Sequence, residues 1–292
     1  MTATFTMATI IKTVETAMMP QDTSSVRGHY EAKVPDDIAA LITQVVSQLP
    51  PGPIDPSILA GLDQFHIGGL PATTRLAELC PFTKDTHILD AGSGLGGPSR
   101  TLGRRFGCQI TGVDLSPSFV QAATLLTDRA GQADRIRFQV EDLLALPFPS
   151  SSFDAIWTQH VAMNIADRSA LYKSFHKALK KGGLLALYDV VWTDPKPDLI
   201  YPVPWAETPN TSFLLTAEET RQALLTAGFQ PLHWINATDQ ALTWLSQPRP
   251  TVAGGTNLSL VMGPRFPGMA ANLARNLRES RVGVLMAVCA AA

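Results

Sequence analysis

The 292 residues, 45% apolar and 16% charged with a formal net charge of −2, suffice for one large domain or two small ones and exclude the basic face that a broad nucleic-acid footprint needs. No apolar run approaches the roughly 20 residues of a membrane span, and the Thr-rich amino terminus lacks the compact apolar core of a signal peptide, which predicts a cytoplasmic protein. Cys80, Cys108 and Cys289 lie far apart without metal-ligand spacing and read as small buried hydrophobes, so no metal is expected.

In chain order, Ile10, Ile11, Val14 and Met18 have helical spacing, compatible with a short amphipathic helix or a frayed tail. Pro35-Asp36-Asp37 opens a helix with the apolar stripe Ile38, Leu41, Ile42, Val45 and Val46, stopped by Leu49-Pro50-Pro51-Gly52-Pro53. Asp63-Gln64-Phe65-His66-Ile67-Gly68-Gly69 reads either as a loop with a capping histidine or as a segment that closes over an active site, before a helix over 71–79. A strand through Ile88 and Leu89 surfaces at Asp90. A turn with Gly92, Gly94, Gly96 and Gly97 follows, then a helix with Pro98 in its first turn and Thr101, Leu102 and Phe106 along it. A second strand, 110–113, ends in Asp114 and Leu115, and Ser116 caps a helix that Pro117 begins and that runs to about Ala130.

The third strand is expected over 135–142 and the fourth over 153–157, the latter ending in Thr158-Gln159-His160. A helix over 167–179 should leave through Lys181-Gly182-Gly183. Residues 184–191 form a continuous apolar strand of the kind buried on both faces of a parallel sheet. Residues 193–215, with Pro195, Pro197, Pro202, Pro204 and Pro209 beside Tyr201 and Trp205, form a rigid surface loop or a wall of the substrate pocket. A Thr216–Glu219 capping box opens a helix to Ala227, ended by Gly228. A strand over 231–238, helices over 239–245 and 269–281 and a last strand over 282–290 complete the chain.

Strand, glycine turn, helix, strand and acid make a nucleotide-binding βαβ unit. Gly92, Gly94 and Gly97 satisfy the dinucleotide pattern, which on its own is a weak signal and leaves an NAD(P)-dependent oxidoreductase as a remote alternative. Two features point elsewhere. Asp90, two residues before the first glycine, would crowd a pyrophosphate but suits a cationic amino-acid end, and Asp142 supplies a third acid at a third strand end. Three such carboxylates suit a ligand with an ammonium, a ribose and an adenine and no phosphate, which is S-adenosylmethionine (SAM). No Tyr-x-x-x-Lys dyad, catalytic triad or metal cluster accompanies the unit.

The strings Leu89–Gly97, Val113-Asp114-Leu115-Ser116, Glu141-Asp142-Leu143 and Phe153–Ile156 resemble class I SAM-dependent methyltransferases over residues 60–240. Asp63–Gly69, Gly94–Pro98, Thr158–Asn164 and Pro204-Trp205-Ala206 resemble, more loosely, the bacterial sarcosine/dimethylglycine N-methyltransferase-like subgroup. The resemblance implies a Rossmann-like α/β fold. It has a seven-stranded sheet, parallel but for the last strand, helices on both faces, a helical cap over 1–60 and the SAM-binding domain over 61–292. It implies cofactor contacts from Asp90, Gly92, Ser93, Gly94, Asp114, Leu115, Asp142, Leu143 and Gln159, with Gln159 and His160 beside the sulfonium. The small-molecule acceptor would meet Tyr30, Gln64, His66, Asn164 and Trp205, with His160 or His66 as general base or orienter. The expected reaction is N-methylation of an amino acid or small amine, with Arg75, Arg265 and Arg275 as candidates to hold a carboxylate. C- or O-methylation of a cyclic or aromatic natural product is the alternative, and a homodimer is possible.

Overall fold

The computed structural model describes residues 38–49, 51–247 and 258–292. The helix considered over 10–18 and the acceptor candidate Tyr30 lie outside the described residues.

Strands β1 (His87–Ala91), β2 (Gln109–Asp114), β3 (Ile136–Val140), β4 (Phe153–Gln159), β5 (Leu179–Trp192), β6 (Phe229–Asn236) and β7 (Val282–Ala291) form one seven-stranded sheet in the order β3-β2-β1-β4-β5-β7-β6. β7 runs antiparallel to both its neighbours and the other pairings are parallel, as expected. The described helices are α1 (Ile38–Ser47), α2 (Pro56–Asp63), α3 (Gly69–Glu78), α4 (Gly97–Phe106), α5 (Pro117–Arg129), α6 (Arg168–Ala178), α7 (Ala217–Thr226), α8 (Thr238–Ser246), α9 (Leu258–Met262) and α10 (Phe266–Arg278).

The unbroken apolar strands are apolar because both faces are covered. Ile88, Ala186, Tyr188 and Val190 point into a core with α3, α4, α8 and α10. Leu89, Leu185 and Leu187 point the other way, against α6 and α7. A third cluster joins α1 and α2 to α5 through Ile42, Leu59, Leu62 and Leu126, so the chain before the sheet is fastened over the glycine-turn end.

Local signals hold where side-chain chemistry fixes them. Thr216 accepts from the Glu219 N–H at 3.1 Å while the Glu219 carboxylate accepts from the Thr216 N–H at 2.8 Å. Ser116 caps α5 with Pro117 in its first turn.

Three expectations are corrected. Lys181-Gly182-Gly183 is not a helix exit. α6 stops at Ala178 and the chain enters β5 at once, where Phe153 pairs with Leu179 but Ala155 with Leu184, so the extra residues bulge with Gly182 at φ 73°. The last helix ends at Arg278 rather than 281, just before Ser280 turns left-handed. α2 was not foreseen; Asp55 caps it by accepting from the Ser57 N–H at 2.9 Å, and Pro56 opens it.

Candidate active site

The carboxyl ends of β1, β2 and β4 surround a cleft with about 1120 Å³ of open space, at the place where open α/β sheets bind ligands. Its floor is the turn after β1. Gly92 has φ 79°, and a Cβ there would collide with the Val161 side chain. A Cβ on Gly97 would run into the Asp63 carbonyl, so this glycine lets α4 dock against the end of α2.

Of the residues expected to hold the cofactor, Gly92, Gly94, Asp114, Leu115, Asp142, Leu143 and Gln159 line this one cleft. Asp90 and Ser93 do not. Asp90 is buried behind the turn, where its Oδ2 accepts from Ser99 Oγ at 2.5 Å. Burial pushes its carboxyl up to about 7, the Ser99 hydroxyl opposes this, and the nearby Asp114 charge adds to it.

Asp114 organises the floor. Its Oδ2 accepts from the Gly94 N–H at 2.9 Å and its Oδ1 from the Ser116 N–H at 3.0 Å. Burial raises its pKa and these N–H groups work against the rise. Asp142 accepts from the Leu144 N–H at 2.9 Å through Oδ1.

The other wall comes from β4 and the loop after it. His160 (φ 55°), Asn164 and Trp205 line the cleft, as does Phe65 of the Asp63–Gly69 segment. Gln64 and His66 do not. They stand behind it in a polar network, where Thr73 Oγ1 donates to Gln64 Oε1 at 2.8 Å and lies 3.2 Å from Gln159 Oε1. His66 Nε2 donates to the Gly69 carbonyl at 3.0 Å, and Trp157 Nε1 donates to Gln159 Oε1 at 2.9 Å. Gln159 is thereby held by its oxygen, and its Nε2 is buried without a hydrogen-bond partner on the wall of the cleft.

Both histidines are neutral at neutral pH. Burial takes His66 down to about 4, and burial with the neighbouring His66 takes His160 well below the usual range. Because the folded-state pKa of His66 lies below its unfolded value, its contribution to stability is complete above about pH 6.5 and fades as pH falls toward 4. We expect the denaturant midpoint of the wild type to fall more between pH 6.5 and 4.5 than that of His66→Gln. Equal falls would contradict a neutral, buried His66.

Sequence reasoning missed two parts of this region. Arg100, fully buried on the face of α4 that also carries Gly97 and Gly103, donates to Asp63 Oδ2 at 2.7 Å and to the Leu95 carbonyl at 2.6 Å. An arginine at a core position of a helix was the available signal. Tyr188 is the second, its ring stacked under the His160 imidazole at 5.6 Å with 5° between planes; buried in an apolar strand, it gave no signal.

The chemistry of the lining fits SAM. Among the described lining residues the charged groups are Asp114, Glu141 and Asp142, all acids, which suit a cationic, phosphate-free nucleoside and oppose a pyrophosphate. No group of residues able to hold a metal occurs among the described residues, and no described helix is long and apolar enough to cross a membrane.

Residues 89–187 match the family described as methyltransferase domain. Over 135 residues the chain is 33% identical to 2-methyl-6-phytyl-1,4-hydroquinone methyltransferase of Synechocystis sp., covering 46% of this chain and 42% of that one. It spans less than half the length of the curated relatives it matches. Its fold is similar to geranyl diphosphate C-methyltransferase of Streptomyces coelicolor (TM-score 0.66, 19% identity, 94% of this chain and 99% of that one). It is also similar to a protein from Galdieria sulphuraria described as a sarcosine dimethylglycine methyltransferase (TM-score 0.61, 16% identity, 81% and 96%). The stretch from β1 into β5 therefore belongs to the methyltransferase domain family, and the chain is built on the class I SAM-dependent methyltransferase fold.

Proposed function

We propose that the protein transfers the methyl group of SAM to an apolar small molecule without an anionic group, as C- or O-methylation of a cyclic or aromatic compound. One observation carries this reading. Among the described lining residues every charge is negative, no lysine or arginine is present, and Phe65, Phe119, Met163, Trp205 and Met262 supply broad apolar surface. An amino acid such as sarcosine would find no lysine or arginine for its carboxylate among the described lining residues of a partly desolvated cleft. The arginines considered for that carboxylate are placed elsewhere. Arg265 pairs with Glu207, Arg275 pairs with Glu279, and Arg75 is exposed and off the cleft wall. The preference thus moves from N-methylation of amino acids to the alternative.

A second reading, N-methylation of an amine that carries no carboxylate, is favoured by His160. Its Nε2 is buried without a hydrogen-bond partner on the cleft wall, where a neutral imidazole can orient an acceptor's N–H or lone pair.

When bound, SAM supplies an electrophilic methyl on a positively charged sulfur, so the protein need only align two reactants and exclude water. Alignment of this kind is worth about 7–11 kcal/mol. In this reading Asp114 accepts from the ribose hydroxyls, Leu115 and Leu143 flank the adenine, and Asp142 accepts from its amino group. The bare backbone of Gly92 and Gly94 lets the methionine part approach closely, with Asp90 behind it. Gln159 Nε2 and His160 would face the sulfonium, and Asn164 and Trp205 the acceptor. His66, set behind the wall, orients Thr73 and Gln159 rather than touching the acceptor. Helices α1 and α2 belong to a cap through which Phe65 reaches the cleft.

Incubation with methyl-labelled SAM against quinols, phenols, sterol-like alcohols, amines and amino acids tests this. We expect label on an uncharged ring acceptor. Label on sarcosine or dimethylglycine alone would overturn the reading.

A further inference from the structure

We propose that Asp189 is a positioning residue of this site, which sets the His160 imidazole from beneath the cleft wall. The inference rests on the reading above only in so far as it lets His160 face the acceptor.

Asp189 interrupts the longest apolar strand of the sheet. It sits between Tyr188 and Val190 toward the carboxyl end of β5, opposite Leu285 of β7, and it is 5% exposed. A lone carboxylate there would cost several kcal/mol, so it must be partnered. Its partners are backbone. Oδ1 accepts from the Val161 N–H at 3.0 Å; burial pushes the carboxyl up to about 6, and the Arg168 guanidinium and the backbone amides of the 160–162 turn oppose the rise. A turn tied through a backbone amide to one buried carboxylate holds a backbone that is neither helix nor strand.

That backbone appears at His160. Its φ of 55° is the left-handed region, which costs a non-glycine residue of order 1 kcal/mol or more and persists only where its surroundings over-determine it. A second tie fixes the same residue, since the His160 N–H donates to the Tyr188 carbonyl at 2.8 Å. Two consequences follow from one turn. The imidazole is laid parallel on the Tyr188 ring at 5.6 Å and faces the cleft. The Val161 side chain is pressed onto Gly92, where a Cβ could not fit. Asp189 does not line the cleft itself, so whatever it does for the reaction it does through these neighbours.

The test is Asp189→Asn, which keeps size but turns an NH2 toward amide donors. With the acceptor found by the panel above, we expect kcat to fall about 30-fold or more and the KM for SAM to change less than threefold. In a His160→Ala background the same replacement should lower kcat less than threefold further. A full independent loss in that background would show a general structural role and overturn the proposal. Two readouts do not depend on activity. In the wild type, nuclear Overhauser contacts should join the His160 and Tyr188 rings, and Asp189→Asn should lose them while still binding S-adenosylhomocysteine; retained contacts would overturn the proposal. If Asp189→Asn does not fold, hydrogen exchange on the wild type decides. The Val161 amide should exchange as slowly as strand amides, and fast exchange would overturn its tie to Asp189. Absence of methyl transfer to any acceptor, with the ring contacts present and lost as described, would remove the methyltransferase reading and leave the positioning role standing.

Discussion

Asp114→Ala is expected to weaken SAM and S-adenosylhomocysteine binding about 10- to 100-fold. A hydrogen bond to a charged acceptor contributes about 1.5–3 kcal/mol, and each 1.4 kcal/mol is a factor of ten. The alanine removes more than a ligand contact, because the carboxylate also accepts from the Gly94 and Ser116 N–H groups and so shapes the floor and the start of α5. Asp114→Asn keeps one oxygen and should lose less. Calorimetric titration of the three proteins gives the order wild type, asparagine, alanine. An alanine variant that binds as tightly as the wild type would mean that the end of β2 does not grip the ribose.

The second large effect is on stability. Arg100→Met should lower unfolding free energy by about 3–5 kcal/mol, the usual result of stranding one member of a buried ion pair. The loss has a clear geometric source. The guanidinium also donates to Thr127 Oγ1 at 2.9 Å and the Ala123 carbonyl at 3.3 Å, so it ties α2, the glycine turn and α5 together. The double replacement Asp63→Leu with Arg100→Met should recover part of the loss. The pH dependence has a definite sign. Burial raises the Asp63 pKa and Arg100 opposes the rise, so without Arg100 the carboxyl keeps its proton to higher pH. The folded variant then binds more protons than the unfolded chain, and its stability falls as pH rises. Urea midpoints should therefore show a deficit that is larger at pH 8 than at pH 5. A deficit independent of pH would assign the loss to packing alone.

The parts of this fold that were legible in the sequence are those with a local cause. The apolar strands ending in Asp90 and Asp114, the glycine turn between them and the caps at Ser116 and Thr216 each follow from a backbone or hydrogen-bond requirement within a few residues. The same holds for the cleft. Gly92, Gly94, Asp114, Leu115, Asp142, Leu143 and Gln159 come together because parallel strands deliver their carboxyl ends to one edge. What could not be read depends on distant partners. Gly182 and Gly183 look like a helix terminus, and only the pairing of β5 with β4 makes them a bulge. Gln64 and His66 look like acceptor contacts from their chemistry, but the docking of α2 onto Gly97 turns Phe65 into the cleft and those two behind it. The arginines considered for a carboxylate were drawn from composition, and their partners Glu207 and Glu279 were not foreseeable from spacing.

The central claim is that acidic strand ends around a bare-backbone turn select a cationic nucleoside without phosphates. Titrating the purified protein with SAM, S-adenosylhomocysteine and NAD in one calorimetric series tests it most directly. The account predicts saturable one-to-one binding of the first two and no heat from the dinucleotide. Uptake of NAD with indifference to both sulfur nucleosides would contradict it.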